Sequence, residues 1–356
     1  MTKLNQINIC YLPNDLSLKL PGDRRRFVFF ARYMKISYET KMQGNYYQLI
    51  YCTYGNNLSK IFEFIKKHPK TKLIFEMIDA NLSEGKWINF LKGCGRFILG
   101  KESRIYLNYQ TPLKKIIKKA HAVVCASAQQ AKILEKYNKN TLITTDFFDD
   151  EIKFKKRTWI INKKKTIRLF WEGMIYNLKH LLILNEVYKY LDFRIHVVIV
   201  TDLKKPLFLN MFGFNAKNIA KDFKFSYKIY EWDKVEVSKI GASCDLGIIP
   251  LNLNDIKASS KPENKLIFMW KIGLPVIASA TAAYKNTMKL AGVRMYAKHT
   301  QDWINILNNF YKVKNYKFFD CNKKRVNKLI NKNYSTARLA YGWSKVFKSV
   351  GFKIKL

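Results

Sequence analysis

The sequence predicts an α/β protein made of two doubly wound parallel-sheet domains. At 356 residues the chain is longer than one hydrophobic core normally supports, so two domains of about 150–200 residues each are expected. Hydrophobic residues make up 48% of it, with 24 Phe and 21 Tyr, which is enough apolar material for two cores. Short apolar runs alternate with helical stretches, the rhythm of a parallel sheet covered on both faces.

In the first half, apolar runs at 7–12, 47–52, 72–78, 122–126 and 141–144 predict strands, and 24–35, 58–67, 113–120 and 128–137 predict the helices between them. The stretch 149–165 is charged and weakly periodic and reads as an interdomain linker. The second half restarts with strands at 166–171, 194–200, 226–230, 245–249 and 275–278. Its helices are predicted at 178–190, from Pro262 onward, at 301–310 and at 323–331. A last helix over 334–350 has Tyr334, Leu339, Trp343 and Phe347 spaced to form one packed face. The domains are therefore expected at 1–157 and 158–334, with a C-terminal helix in 335–356.

Composition narrows the function. The net charge is 65 − 26 = +39. Lysine is spread along the whole chain together with Asn and Ile, a bias that an AT-rich genome also produces, whereas a nucleic-acid binder concentrates charge in a tail or stripe. Attraction to an anionic membrane surface or a charged glycan is the second reading, and nucleic acid is not the expected partner. The most basic region, 311–356, carries 13 Lys and Arg against the single acid Asp320 and is the expected membrane-facing patch. No apolar run reaches the roughly 18 residues of a membrane span, and the N-terminus leads directly into a strand, so a cytoplasmic protein is expected, peripheral at most on the inner face of the plasma membrane. The six cysteines are scattered and read as reduced thiols. The five histidines never form an i, i+4 pair, and no phosphate-binding Gly-x-x-x-x-Gly-Lys-Ser/Thr loop, Gly-x-Gly-x-x-Gly turn or Gly-x-Ser-x-Gly nucleophile occurs.

The most informative stretch is Ser259-Ser-Lys-Pro-Glu-Asn-Lys-Leu-Ile-Phe-Met-Trp-Lys-Ile-Gly-Leu-Pro-Val-Ile-Ala-Ser279. It reads as a polar loop, a helix, a glycine break at Gly273 and a buried strand. A helix start offers free backbone N–H groups and a positive dipole end, and Lys261 and Lys265 add charge, so the place suits a diphosphate. With the preceding strand Cys244-Asp-Leu-Gly-Ile-Ile-Pro-Leu251, it resembles the donor half of GT-B glycosyltransferases, the group of glycan and lipopolysaccharide sugar transferases with two Rossmann-like domains facing a cleft.

The resemblance implies roles residue by residue. In Leu169-Phe-Trp-Glu-Gly-Met-Ile-Tyr-Asn-Leu-Lys179, Gly173 and Lys179 match a diphosphate clamp, while the family's arginine is replaced by Met174. Glu231 and Trp232 fall in the loop that meets the nucleobase; Trp232 reads equally well as core. Lys261, Pro262, Asn264 and Lys265 complete the donor loop. The family's two glutamates, with seven residues between them, would fall on Ser260 and Phe268, so both carboxylates are absent, and Glu263 is the substitute candidate for contact with the donor sugar. In the first half, Gly22, Arg24 and Arg25 resemble the junction that faces phosphates of donor or lipid-linked acceptor. Asp79, at a strand end, is the candidate base for the acceptor hydroxyl and equally a helix cap. His121 reads as structural. The C-terminal helix resembles the one that returns towards the first domain.

The resemblance implies transfer of a sugar from a nucleotide-sugar to a hydroxyl of a cell-surface polysaccharide or lipid-linked glycan. No cofactor and no metal are expected, since no Asp-x-Asp of the metal-dependent class occurs. The alternatives are a nucleotide-sugar epimerase of the same fold, or a non-catalytic basic protein that binds glycan or nucleic acid.

Overall fold

The computed structural model describes residues 7–43, 46–159, 166–207, 212–312 and 316–354. The chain divides into two compact units, Met1–Phe147 with Thr336–Leu356, and Phe148–Ser335.

In the first unit, β1 (Ile9–Leu12), β2 (Leu49–Thr53), β3 (Lys72–Glu76), β4 (Ala122–Cys125) and β5 (Thr141–Ile143) form one sheet in that order, all parallel. Every residue of β1, β2 and β4 is buried, as strands covered on both faces must be, and this is why they read as unbroken apolar runs. The outer edge of β1 is bridged by Glu39, whose N–H donates to the Ile9 carbonyl at 2.9 Å and whose carbonyl accepts from Tyr11 N–H at 2.8 Å. The chain thus passes to one side of β1 before it crosses back to β2.

The helix expected over 24–35 is broken in two, Pro21–Arg24 and Phe27–Tyr33. The break is Arg26, at φ −123° and ψ −117°, whose side chain turns into the core. Its guanidinium pairs with Glu76 and with Asp146 (2.8 Å), donates to the Thr144 carbonyl (3.2 Å), and lies 5.3 Å from the Trp343 ring centre. Burial pushes the Glu76 carboxyl above its ordinary range, against the opposing pull of Arg26.

The C-terminal helix Thr336–Ser349 belongs to this unit. It buries Leu339, Ala340, Trp343, Val346 and Phe347. Trp343 and Phe347 stack on Phe30 at 5.6 and 5.3 Å between ring centres, and the Trp343 indole N–H donates to the Thr145 carbonyl at 3.1 Å.

In the second unit the sheet strands are β6 (Thr166–Glu172), β7 (Arg194–Thr201), β10 (Ser226–Glu231), β11 (Leu246–Ile249), β12 (Val276–Ser279) and β13 (Tyr296–Ala297); between β7 and β10 lies a separate antiparallel hairpin, β8 (Lys204–Leu207) with β9 (Phe212–Asn215). The six run parallel in the order β10-β7-β6-β11-β12-β13. The first two connections lead one way from β6 and the next three the other way. The sheet therefore switches direction between β6 and β11, and ligands of open α/β sheets bind at the carboxyl ends of such a pair.

The stretch read as a linker begins as part of this unit. Lys153 and Phe154 N–H groups donate to Ser238 Oγ (3.1 and 3.2 Å), Lys156 N–H to the Ile272 carbonyl (2.8 Å) and Lys156 Nζ to the Cys244 carbonyl (2.9 Å). The unit boundary lies at 147/148, ten residues before the expected 157/158, because those backbone groups are hydrogen-bonded; the linker's 160–165 fall outside the described residues. The helix expected at 178–190 is instead a 3₁₀ helix, Ile175–Ile183, followed by one α-turn, Leu184–Val187, and a second 3₁₀ turn, Tyr188–Tyr190. All six cysteines are free, and burial raises the thiol pKa of Cys10 and Cys125 to about 12 and of Cys244 to about 11.

Candidate functional site

The site grows from the end of β6. Glu172 closes the strand, and Gly173 N–H donates to the Val200 carbonyl at 3.1 Å, which holds the turn against β7. A Cβ on Gly173 would lie 2.3 Å from Lys265 Nζ and 2.9 Å from the Trp171 indole, so a side chain here would displace the Lys265 ammonium and press on the Trp171 ring. Lys265 Nζ donates to the Glu172 carbonyl at 2.7 Å and sits 4.9 Å from the Trp171 ring centre.

Across the switch, β11 leads through a loop, the helical turn Ile256–Ser259 and residues 260–263 to the helix Asn264–Lys271. Pro262 precedes that helix rather than entering its first turn, and Glu263 takes the N-cap position. Lys261 Nζ donates to Asn177 Oδ1 at 2.7 Å, and the buried Oδ1 of Asn264 has no hydrogen-bond partner among the described residues. Glu263 accepts a hydrogen bond from Tyr334 OH at 3.0 Å. Burial, and then the Glu263 carboxylate, push the Tyr334 and Tyr284 hydroxyls up.

His180 shows that the lysines converge. Its pKa falls from 6.5 to about 4, first through burial and then through the charges of Lys261, Lys179 and Lys265. Three ammonium groups from two segments 82 residues or more apart (261 − 179) therefore act on one imidazole, which is neutral at pH 7. An open cavity of about 1230 Å³ lies beside Lys179 and His180 and is lined further by Leu251, Asn252, Asp255 and Ser279. Ser279 Oγ ties the ends of β11 and β12 together through both the N–H (2.8 Å) and the carbonyl (3.0 Å) of Leu251.

The structure thus groups Gly173, Lys179, Lys261 and Lys265 at the switch point. Glu231 is exposed at the end of β10, and Trp232 is half-buried with its N–H donating to the Thr201 carbonyl at 3.0 Å. Asn177, His180 and the buried Glu172 were not singled out in the sequence. Asn177 and His180, three residues apart, share a face of the helix Ile175–Ile183, which begins three residues before the stretch 178–190 read as helical and so takes in Asn177.

In the first unit, Gly22 is packed against Asn14 Nδ2 and Ile78, each 3.1 Å from where its Cβ would stand. The neighbouring Asp23 is fully buried and accepts from Tyr11 OH (2.7 Å), Asn14 N–H (2.8 Å) and Asn14 Nδ2 (3.0 Å), so it shapes the loop after β1. Arg24 Nη1 donates to the Lys19 carbonyl at 2.6 Å, and Arg25 is buried, 8% exposed. Asp79 is exposed just beyond the end of β3, and its carbonyl accepts from Asn81 N–H at 2.8 Å. His121 Nδ1 accepts from Leu73 N–H at 3.1 Å, a structural part. Among the described residues no group of three His, Cys, Asp or Glu side chains is placed to hold a metal ion.

The sequence matches no protein-family model and no curated protein. Solved structures do match. Anabaena HepE in complex with UDP and glucose aligns with a TM-score of 0.64 at 11% identity, over 97% of this chain and 100% of its own, and the same protein has been solved with UDP-glucose. A glycosyltransferase from Rickettsia africae aligns with a TM-score of 0.60 at 11% identity, over 97% and 99%. WaaG, a glycosyltransferase involved in lipopolysaccharide biosynthesis, aligns with a TM-score of 0.52 at 12% identity, over 97% and 99%. At such identities the likeness is one of fold, and the chain has the fold of the GT-B glycosyltransferases.

Proposed function

We propose that the chain is a glycosyltransferase that moves a sugar from a nucleotide-sugar to a hydroxyl of a cell-surface polysaccharide or lipid-linked glycan. The observation that carries this reading is the convergence of Lys179, Lys261 and Lys265 on the switch point of the second sheet, beside a glycine that leaves room for close approach. A nucleoside diphosphate leaving group carries concentrated negative charge, and these ammonium groups with the N–H groups of the helix start at Asn264 offset it. In the reaction the anomeric carbon loses its bond to the diphosphate oxygen and gains one to the acceptor oxygen. We assign Asp79 to take the acceptor proton and Glu263, oriented by Tyr334, to meet a donor-sugar hydroxyl. Glu231 and Trp232 are assigned to the nucleobase, and Arg24 or Arg25 to a phosphate of donor or acceptor.

The test is calorimetric titration of UDP and other nucleoside diphosphates into the chain and its Lys265→Ala variant. One charge-assisted contact is worth about 1.5–3 kcal/mol, so affinity should fall about 10-fold or more. Equal affinity in a folded variant would remove Lys265 from the donor site. Because the lysines supply the positive charge, turnover should also persist in EDTA. Abolition by chelation and recovery with Mg²⁺ or Mn²⁺ would assign that charge to a metal instead.

A further inference from the structure

The helix Lys86–Ile98 of the first unit is packed the wrong way round for a protein surrounded only by water. Its protein-facing stripe is Asn89, Gly93 and Arg96. Asn89 is 1% exposed and its side-chain amide donates to the carbonyls of Glu84 and Gly85, both at 2.9 Å. Gly93 lies so close to the chain that a Cβ would come within 1.7 Å of the Tyr106 carbonyl oxygen. Arg96 Nη2 donates to the carbonyls of Gly55 (3.0 Å) and Asn56 (2.7 Å).

At 100° per residue, Trp87, Leu91 and Ile98 lie about 180° from that stripe. They are 69%, 53% and 67% exposed. Ile88, Phe97 and Leu99 extend the apolar surface, as do Ile105 and Leu107, which are 56% and 72% exposed in the following loop. Eight of the 22 exposed large hydrophobic residues of the described chain fall between 87 and 107. An exposed apolar concentration of this kind marks an interaction surface. The charge of the stretch identifies the occupant. Lys86 and Lys101 are exposed in the same stretch, as is Arg104, which reaches the exposed Glu63 at 3.5 Å, while the only acid between 86 and 107, Glu102, is buried at 3% exposure.

We infer that this helix and the loop after it form a docking surface for an anionic lipid bilayer. The helix lies in the interface plane, with Trp87, Leu91 and Ile98 among the acyl chains and the cations at the level of the headgroups. No helix among the described residues is long and apolar enough to cross a membrane, so the attachment is peripheral. The inference relocates the membrane-facing patch from the basic C-terminal region, where the helix Thr336–Ser349 turns its apolar face into the first unit and exposes Tyr341 as its one large hydrophobic side chain. It is independent of the nucleotide reading, because lipid binding is measured without a sugar donor.

The test is co-sedimentation of the full chain with phosphatidylcholine vesicles that do or do not contain about one third phosphatidylglycerol, at about 0.15 M salt. The chain should bind the anionic vesicles and bind the neutral ones weakly. Leu91→Glu with Ile98→Glu should lower binding about 10-fold or more at an unchanged melting temperature, since both side chains are solvent-exposed. Lys86→Glu with Lys101→Glu should weaken binding several-fold at low salt, whereas Lys345→Glu with Lys348→Glu should leave it near wild type. Wild-type binding by the Leu91/Ile98 variant, or loss confined to the Lys345/Lys348 variant, would overturn the proposal. So would a chain that ignores vesicles but forms a dimer that the Leu91/Ile98 substitutions dissociate, an outcome that gives the surface to a second copy.

Discussion

His180 is a built-in reporter of the proposed donor site. Its folded pKa is about 4 against 6.5 for the free side chain, so as pH falls from about 6.5 to 4 the unfolded chain takes up a proton that the folded chain does not, and stability is lost. A diphosphate bound between Lys179, Lys261 and Lys265 cancels part of the field that holds the imidazole neutral. Saturation with UDP should therefore raise the His180 midpoint, and binding at about pH 5 should be accompanied by proton uptake. An NMR titration of the imidazole with and without UDP reads this directly, and an unmoved midpoint in the saturated protein places the diphosphate elsewhere. Arg24, Arg25 and Arg26 look alike in sequence, and only the backbone break at Arg26 sends its side chain to Glu76 and Asp146. Removing one member of such a buried pair costs about 3–5 kcal/mol, so Arg26→Ala should be a stability variant, seen as a lowered melting temperature.

At the scale of elements, Gly273 joins the helix Asn264–Lys271 to β12 and lies against the segment that opens the second unit. Its φ is +84°, and a Cβ there would lie 2.3 Å from the Lys156 carbonyl oxygen. A side chain at this position meets both a left-handed backbone and a neighbouring main chain that cannot rotate away. Gly273→Ala should cost about 2–4 kcal/mol, read as a lowered urea midpoint, whereas an unchanged midpoint would mean that the 153–156 segment yields at no cost. The helix Lys86–Ile98 teaches the converse. Helix prediction assumes that the apolar stripe points inward, and here the inward stripe is Asn, Gly and Arg.

For the whole molecule, the C-terminal helix decides which unit depends on the last residues. Trp343 and Phe347 are fully buried in the first unit and stack on Phe30, with Trp343 also bound to the Thr145 carbonyl. Deleting 336–356 should therefore lower the melting transition of the first unit and spare that of the second, resolved as two calorimetric peaks. A truncated chain with both transitions unmoved would show that the helix is not part of that core. The charge of +39 acts at this scale as well, since long-range attraction to any polyanion weakens once the Debye length shortens to about 8 Å at physiological salt.

Sequence alone determined the fold class, because strands buried on both faces, such as Ile9–Leu12 and Leu246–Ile249, must be continuous apolar runs whatever surrounds them. It also brought forward Lys261, Lys265 and Gly173 as candidates for anion binding, because ammonium groups and a glycine that admits close approach are residue types such binding uses. Tertiary structure decided what depends on neighbours distant in sequence. Those decisions include the strand order that makes a switch point beside Gly173, and the pairing of Lys261 with Asn177 and of Glu263 with Tyr334. They also include the outward turn of Trp87, Leu91 and Ile98. Periodicity records which residues share a face, whereas the direction in which that face points is set by packing against chain far away in sequence.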